Sequence, residues 1–84
     1  MKHYILLSVE VPEFSNDQAG QNWRTLEEHL ESLNKTTKGI ERLGRGVWLL
    51  PRDSGIYFAA ECISLARAKR LKVSARFVSE EGEL

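Results

Sequence analysis

The stretch RLGRGVWLLPR, residues 42–52, decides the fold of this chain because it predicts a β-hairpin. Residues 40–43 form a short and rather polar strand, which suits the edge of a sheet. Gly44 and Arg45 predict a two-residue loop, since glycine at the first position supplies the positive φ of a type II′ turn. Residues 46–50 return as an apolar strand, and Pro51 ends it because proline lacks a backbone donor.

The chain before the hairpin predicts a strand followed by a helix. Residues 3–11 alternate apolar side chains with a period of two, which is the pattern of a strand. Ser15, Asn16 and Asp17 are candidate caps for a helix over residues 17–34. One apolar stripe with spacings of three and four identifies this helix, and it comprises Trp23, Leu26, Leu30 and Leu33.

The chain after the hairpin predicts a second helix and a last strand. Asp53 or Ser54 caps the helix, and residues 73–78 alternate as the strand. The apolar face of the helix contains Ile56, Ala59, Ile63 and Ala66, and it is widened by Phe58, Cys62 and Leu65. The order βαββαβ predicts an α+β, ferredoxin-like sandwich, in which a four-stranded antiparallel sheet carries two helices on one face.

The composition is that of an ordinary globular protein. The 84 residues, 42% hydrophobic and 29% charged, suit a single domain over residues 1–84. The first apolar run is too short for a secretory signal or a membrane span, so we expect a cytoplasmic protein without membrane contact. Cys62 has no internal disulfide partner and is expected as a small core residue. The sequence contains no cofactor motif and no metal-ligand spacing of cysteine or histidine, so no cofactor is expected.

A net charge of zero hides an uneven distribution of charge along the chain. Residues 35–76 contain ten lysines and arginines against three acids, an excess of seven, and both ends of the chain are acidic. Either the acidic ends of the chain balance the positive charge of residues 35–76 in the folded structure, or residues 35–76 bind an anionic partner such as RNA or DNA. For the second alternative, the expected contact residues are Lys38, Arg42, Arg45, Arg52, Arg67, Lys69, Arg70 and Arg76.

A sandwich of this kind leaves one face of its sheet uncovered by helices. If alternate residues of the first strand face the helices, Tyr4 and Leu6 face away from them. The third strand adds either Trp48 with Leu50 or Val47 with Leu49 to that face. An apolar patch of this size marks an interface, so we expect a homodimer with Tyr4, Leu6 and Trp48 at its interface. Binding of another molecule is the alternative.

Residues 45–50, RGVWLL, resemble the start of the third-strand signature of RNA-recognition motif domains, which is a base and a glycine before an aromatic-rich strand. That resemblance implies aromatic side chains on this strand that stack on bases. The matching positions here are Val47 and Leu49, so the stacking residues are absent.

A second resemblance covers nearly the whole chain. An apolar strand that ends in Val9 and Glu10, an amphipathic helix, a basic hairpin and the run VWLL at residues 47–50 resemble the ferredoxin-like superfamily of small CRISPR-associated adaptation proteins and related toxin and antitoxin ribonucleases. The resemblance implies a homodimer, a nucleic acid as partner and, in some members, a divalent metal near the end of the first strand.

Glu10 matches the acidic position of that superfamily, where an aspartate is usual. It is therefore the candidate catalytic residue, and with Glu13 it could hold Mg²⁺ through carboxylate oxygens. The alternative for Glu10 is a surface glutamate at the end of a strand.

These patterns predict three alternative functions. The first is a small cytoplasmic dimer that binds nucleic acid through a basic surface without catalysis. The second is a protein-interaction or regulatory module that assembles through the open sheet face. The third is a metal-dependent nuclease that uses Glu10.

Overall fold

The computed structural model describes residues 2–13 and 17–79. Its elements are β1 (His3–Val9), α1 (Gln18–Asn34), β2 (Glu41–Gly44), β3 (Val47–Pro51), α2 (Ile56–Ala68) and β4 (Val73–Ser79). The strands form one antiparallel sheet in the order β2-β3-β1-β4, and both helices pack on one of its faces. The predicted ferredoxin-like α+β sandwich is thereby confirmed. Within the described ranges, neither helix is long and apolar enough to cross a membrane.

The helix-facing side of the sheet is built on β1, whose residues alternate between the core and the other face. Ile5, Leu7 and Val9 are buried, whereas the residues between them are partly exposed. Leu7 lies opposite Trp48 of β3, so the indole of Trp48 points toward the helices. The remaining core side chains come mainly from the helices and include Trp23, Leu26, Leu30, Phe58, Ala59, Cys62, Ala66 and Leu71.

The first helix follows its sequence pattern closely. The side chain of Asp17 caps it by accepting a hydrogen bond from the Gly20 amide at 2.8 Å. Trp23, Leu26 and Leu30 of the predicted stripe are buried, and Leu33 packs at the margin of the core. The other two candidate caps, Ser15 and Asn16, lie outside the described residues.

The start of the second helix differs from the prediction. Its N-cap is Gly55, and neither Asp53 nor Ser54 occupies that position. Gly55 is buried so tightly that a Cβ there would lie 2.6 Å from Leu50 Cβ, which explains why the chain places a glycine at this cap. Ile56, predicted on the apolar face, is 51% exposed because the buried face begins at Phe58.

The hairpin turn lies one residue later than predicted. The loop consists of Arg45 and Gly46, and the positive φ of 81° belongs to Gly46 instead of Gly44. The β2–β3 ladder shifts its register between Arg42 and Gly44, so β2 takes up one extra residue, as in a β-bulge. This shift moves the turn along the chain.

The last strand forms an edge that the helices leave partly bare. Phe77 lies opposite Ile5 and therefore faces the helix side of the sheet, yet its side chain is 73% exposed. Ala75 on the same side is exposed as well. The helix layer consequently covers the centre of the sheet and not this edge.

Candidate nucleic-acid interface

Five basic residues lie at one end of the sandwich, which we call the basic end: Arg45, Arg67, Lys69, Arg70 and Lys72. Two backbone hydrogen bonds bring the chain segments of this end together. The Val9 amide donates to the Gly46 carbonyl at 2.8 Å, and the Glu10 amide donates to the Lys72 carbonyl at 2.9 Å. The β2–β3 turn and the start of β4 therefore flank the end of β1.

The turn after α2 fixes the position of four of these bases. The Arg70 amide donates to the Arg67 carbonyl at 3.1 Å, and the Leu71 amide donates to the Ala66 carbonyl at 2.8 Å. This pair of bonds is the Schellman arrangement, which places one residue in the left-handed region. Here that residue is Arg70, with a φ of 59°, and Leu71 is buried in the core. The anchored leucine leaves the neighbouring charged side chains at the surface.

The basic end carries more positive charge than its own ion pairs offset. Within residues 2–13 and 17–79, no salt bridge joins any of its five bases to a carboxylate. Glu10, whose amide donates to the Lys72 carbonyl, is an exposed acid at the end of β1 beside this end. A shallow concavity of about 380 Å³ lies between Ser8–Glu10 and Lys72–Ser74 and opens to solvent. The arrangement suits an extended anion better than a small enclosed ligand.

Two of the predicted contact residues lie at the opposite end of the molecule. Lys38 precedes Gly39, whose backbone lies against Pro51 at the end of β3. Arg52 follows Pro51, donates its amide to the His3 carbonyl at 3.0 Å and pairs with Asp53 at 3.7 Å. The antiparallel topology thus separates these bases from the basic end by the length of the sheet.

Arg42 is on the helix side of β2 and is already paired. Its guanidinium contacts Glu27 at 2.5 Å and Glu31 at 2.7 Å, and it lies 5.2 Å from the ring centroid of Trp48. The hydrogen bond to Glu27 is the largest cause of a raised pKa for Arg42, and the charges of Glu27 and Glu31 add to it. Arg42 therefore joins β2 to α1 and is not part of the basic end.

Replacing Arg42 by glutamine is expected to lower the free energy of unfolding by about 1 kcal/mol, because a partly exposed ion-pair network and a cation–π contact are lost together. Urea unfolding followed by tryptophan fluorescence measures this. Arg45→Gln is the matched control, since Arg45 has no salt bridge among the described residues and should leave stability within about 0.5 kcal/mol. Equal losses in the two variants would contradict the role given to Arg42.

The face of the sheet turned away from the helices, which we call the open face, is largely apolar. Cross-strand pairing places Tyr4 and Leu6 of β1 on it together with Val47 and Leu49 of β3. On β4 the same pairing adds Val78 and Arg76. Tyr4 and Leu6 were predicted as interface residues, and the structure places both on this face.

The interface prediction for Trp48 is corrected. Trp48 is 1% exposed and its ring lies 6.3 Å from that of Trp23 and 6.1 Å from that of Phe58, so it belongs to the core. Because both faces of β3 are apolar, the alternation of residues alone could not determine whether Trp48 faces the helices or the open face.

The candidate catalytic residues form no metal-ligand set. Glu10 and Glu13 are exposed, and the described residues contain no group of three histidine, cysteine, aspartate or glutamate side chains able to hold a metal. Cys62 is buried as expected, and burial raises the pKa of its thiol to about 12. That thiol is protonated at neutral pH and is a packing residue, not a nucleophile.

Two features of the basic end were missed in the sequence. Lys72 lay within the basic run but was not among the contact residues, although it immediately precedes β4 at the same end. The left-handed conformation of Arg70 could have been predicted from one feature of the sequence. The second helix ends before the apolar Leu71, which suits a Schellman ending, but no glycine or asparagine is present for the left-handed position, so Arg70 occupies it.

No family model, curated protein or solved structure matches this chain.

Proposed function

We propose that the chain is a cytoplasmic, non-catalytic nucleic-acid-binding protein that contacts phosphates through its basic end. The observation that carries this proposal is Arg70, a large charged side chain held at a φ of 59° within a group of five bases. The proposal keeps Arg45, Arg67, Lys69 and Arg70 from the predicted contacts and adds Lys72. It omits Arg42, which is already paired.

The backbone at Arg70 supports a use for its side chain beyond folding. A left-handed conformation costs a residue with a Cβ about 1–2 kcal/mol, and glycine is the usual occupant of this helix-end position. A residue kept in such a conformation despite its cost is a candidate for a functional role. An arginine here projects from the end of α2, where a phosphate could accept two of its hydrogen bonds.

The helix dipole accounts for only part of the cluster. Cations near the C-terminus of α2 are stabilised by the partial negative charge of its last carbonyls, which is a sufficient reason for Arg67 and Lys69. Arg45 comes from the β2–β3 turn and Lys72 from the start of β4, so that reason does not extend to them. Bases from two separate segments meeting at one end favour a shared anionic ligand.

The chemistry of this end predicts recognition of the phosphate backbone without reading of sequence. The two shallow concavities beside the basic end, one at Lys72 and one at Lys69 and Arg70, are lined by described residues that include no aromatic side chain on which a base could stack. Charge alone gives binding that depends steeply on salt and differs little between sequences.

Fluorescence anisotropy with a labelled duplex DNA and a labelled single-stranded RNA of about 20 nucleotides tests this proposal. If three to five phosphates are neutralised, duplex affinity should fall roughly 40- to 500-fold between about 50 and 200 mM salt. An absence of salt-sensitive binding to both probes at the lower salt would overturn the proposal.

Arg70→Gly separates the two effects of this residue. Relief of the left-handed conformation should raise the free energy of unfolding by about 1 kcal/mol, which corresponds to roughly 4–8 °C in Tm. The loss of one phosphate contact should weaken duplex binding and reduce the salt slope by about one. Lys38→Gly is the matched control because it removes one charge from the opposite end and should leave affinity unchanged. Unchanged affinity in Arg70→Gly would remove this residue from the interface.

A second candidate function is a protein-interaction or regulatory module, and the open face is the observation that favours it. Tyr4, Leu6, Val47, Leu49 and Val78 place apolar atoms on a sheet face that neither helix covers. Exposed apolar patches of this kind mark sites of protein association. A stable assembly without affinity for polyanions would favour this function over the first.

A further inference from the structure

One row of residues across the open face has opposite charges at its two edges. Glu41 of β2 lies opposite Leu49 of β3, Leu49 lies opposite Leu6 of β1, and Leu6 lies opposite Arg76 of β4. Residues directly opposite each other on antiparallel strands project from the same side of a sheet. The row therefore reads acid, leucine, leucine, base across the full width of the sheet, which is about 14 Å at the usual strand spacing.

The rows on either side of this one are uncharged. One contains Pro51, Tyr4 and Val78, and the other contains Gly44, Val47, Ser8 and Ser74. Ser8 and Ser74 bond to each other through their hydroxyls at 2.9 Å, so they do not need an outside partner. Among the paired residues of this face, Glu41 and Arg76 are thus the only charged ones, and no salt bridge within the described residues engages either.

We propose that the open face binds a second copy of this chain face to face, about a two-fold axis that runs along the strands between the two sheets. This rotation reverses the order of the row, so that Glu41 of each subunit lies over the partner's Arg76 and the leucines of the two rows pack together. Packed sheets lie about 10 Å apart, a gap that a glutamate and an arginine leaning toward each other can bridge.

The charges also exclude the alternative two-fold axis, which runs along the row. That axis would place Glu41 over the partner's Glu41 and Arg76 over the partner's Arg76, and like charges facing each other are destabilising. The pattern thus selects both the occupant and its orientation. Because the selected axis preserves position along the strands, the basic ends of both subunits lie at the same end of the dimer.

This inference rests on the use of the open face as an interface and not on nucleic-acid binding. The face measures roughly 14 by 17 Å from strand spacing and rise per residue, which is smaller than the about 800 Å² per partner of a standard interface. We therefore expect a weak dimer.

Sedimentation equilibrium of the full chain over about 1–500 µM tests the dimer and its orientation. Glu41→Arg alone and Arg76→Glu alone should each raise the dimer Kd at least tenfold, because each substitution creates two pairs of like charges across the interface. The double variant should return to within about threefold of the original Kd. The matched control for Glu41→Arg is Glu28→Arg on the exposed side of α1, which makes the same change in net charge away from the open face and should leave the Kd unchanged.

A wild-type chain that stays monomeric at about 500 µM, or a double variant no tighter than the single ones, would overturn the proposal. Thermal melting of each variant checks that it is folded, which we expect because residues 41 and 76 are both exposed.

Cross-linking gives a second measurement of the orientation. A short bis-maleimide should join Glu41→Cys chains to Arg76→Cys chains in a mixture and should not join either variant to itself. Cys62 is buried and does not interfere. Anisotropy with the basic-end variants is independent of these results, so failure of one proposal leaves the other testable.

Discussion

Trp48→Ala is expected to lower the free energy of unfolding by about 3–5 kcal/mol, the usual cost of truncating a buried aromatic residue. Trp48 is 1% exposed and lies between Trp23 of α1 and Phe58 of α2, with centroid distances of 6.3 and 6.1 Å. Its removal takes from the sheet the side chain that both helices share. A domain of this size has a total stability of roughly 4–13 kcal/mol, so a large part of it would be lost.

Thermal unfolding followed by far-ultraviolet circular dichroism measures this effect, and a decrease in Tm of roughly 15–30 °C is expected. Phe77→Ala is the matched control, because Phe77 also faces the helix side of the sheet but is 73% exposed. It should lose less than about 1 kcal/mol. If the two variants lost similar stability, Trp48 would not be the centre of the core.

The parts of the fold that followed from the sequence are those that local periodicity and capping determine. The stripe of Trp23, Leu26 and Leu30 has one apolar side only, so a helix has a single way to bury it. Asp17 precedes that stripe at the distance at which its side chain reaches the amide of Gly20. The order of the elements then left the ferredoxin-like sandwich as the most economical arrangement.

Features that depend on long-range pairing did not follow from the sequence. The side of Trp48 is determined by its position opposite Leu7, and the residues of β3 are apolar on both faces. The loop lies at Arg45 and Gly46, one residue later than predicted, because the β2–β3 ladder shifts register, and no local pattern in the sequence indicates that shift.

The candidate interface shows the same division. A count of charges along the chain identified the basic run, but it could not show that Arg42 is paired with Glu27 and Glu31 of another element. The same count assigned Lys38 and Arg70 to one basic surface, although the antiparallel sheet places them at opposite ends of the molecule. Only the register revealed that Glu41 and Arg76 share a row.

Gly46→Ala is expected to be the most destabilising single-methyl change in the hairpin. Gly46 has a φ of 81°, and a Cβ there would lie 2.6 Å from the Val9 carbonyl oxygen and 2.8 Å from Val11 Cγ2. The left-handed backbone alone costs alanine about 1–2 kcal/mol, and the contact with backbone cannot be relieved by a side-chain rotation. We expect a total loss of about 2–4 kcal/mol in urea unfolding.

Gly44→Ala provides the matched control two residues away, because its φ is not positive and no heavy atom lies within 4 Å of a Cβ at that position. It should change stability by less than about 1 kcal/mol and could raise it by restricting the unfolded chain. Hydrogen exchange gives a local measurement, since the Val9 amide donates to the Gly46 carbonyl at 2.8 Å. In Gly46→Ala this amide should lose more protection than the Leu7 amide in the middle of β1. Equal loss at both amides would show that the hairpin turn and the centre of the sheet open as one unit.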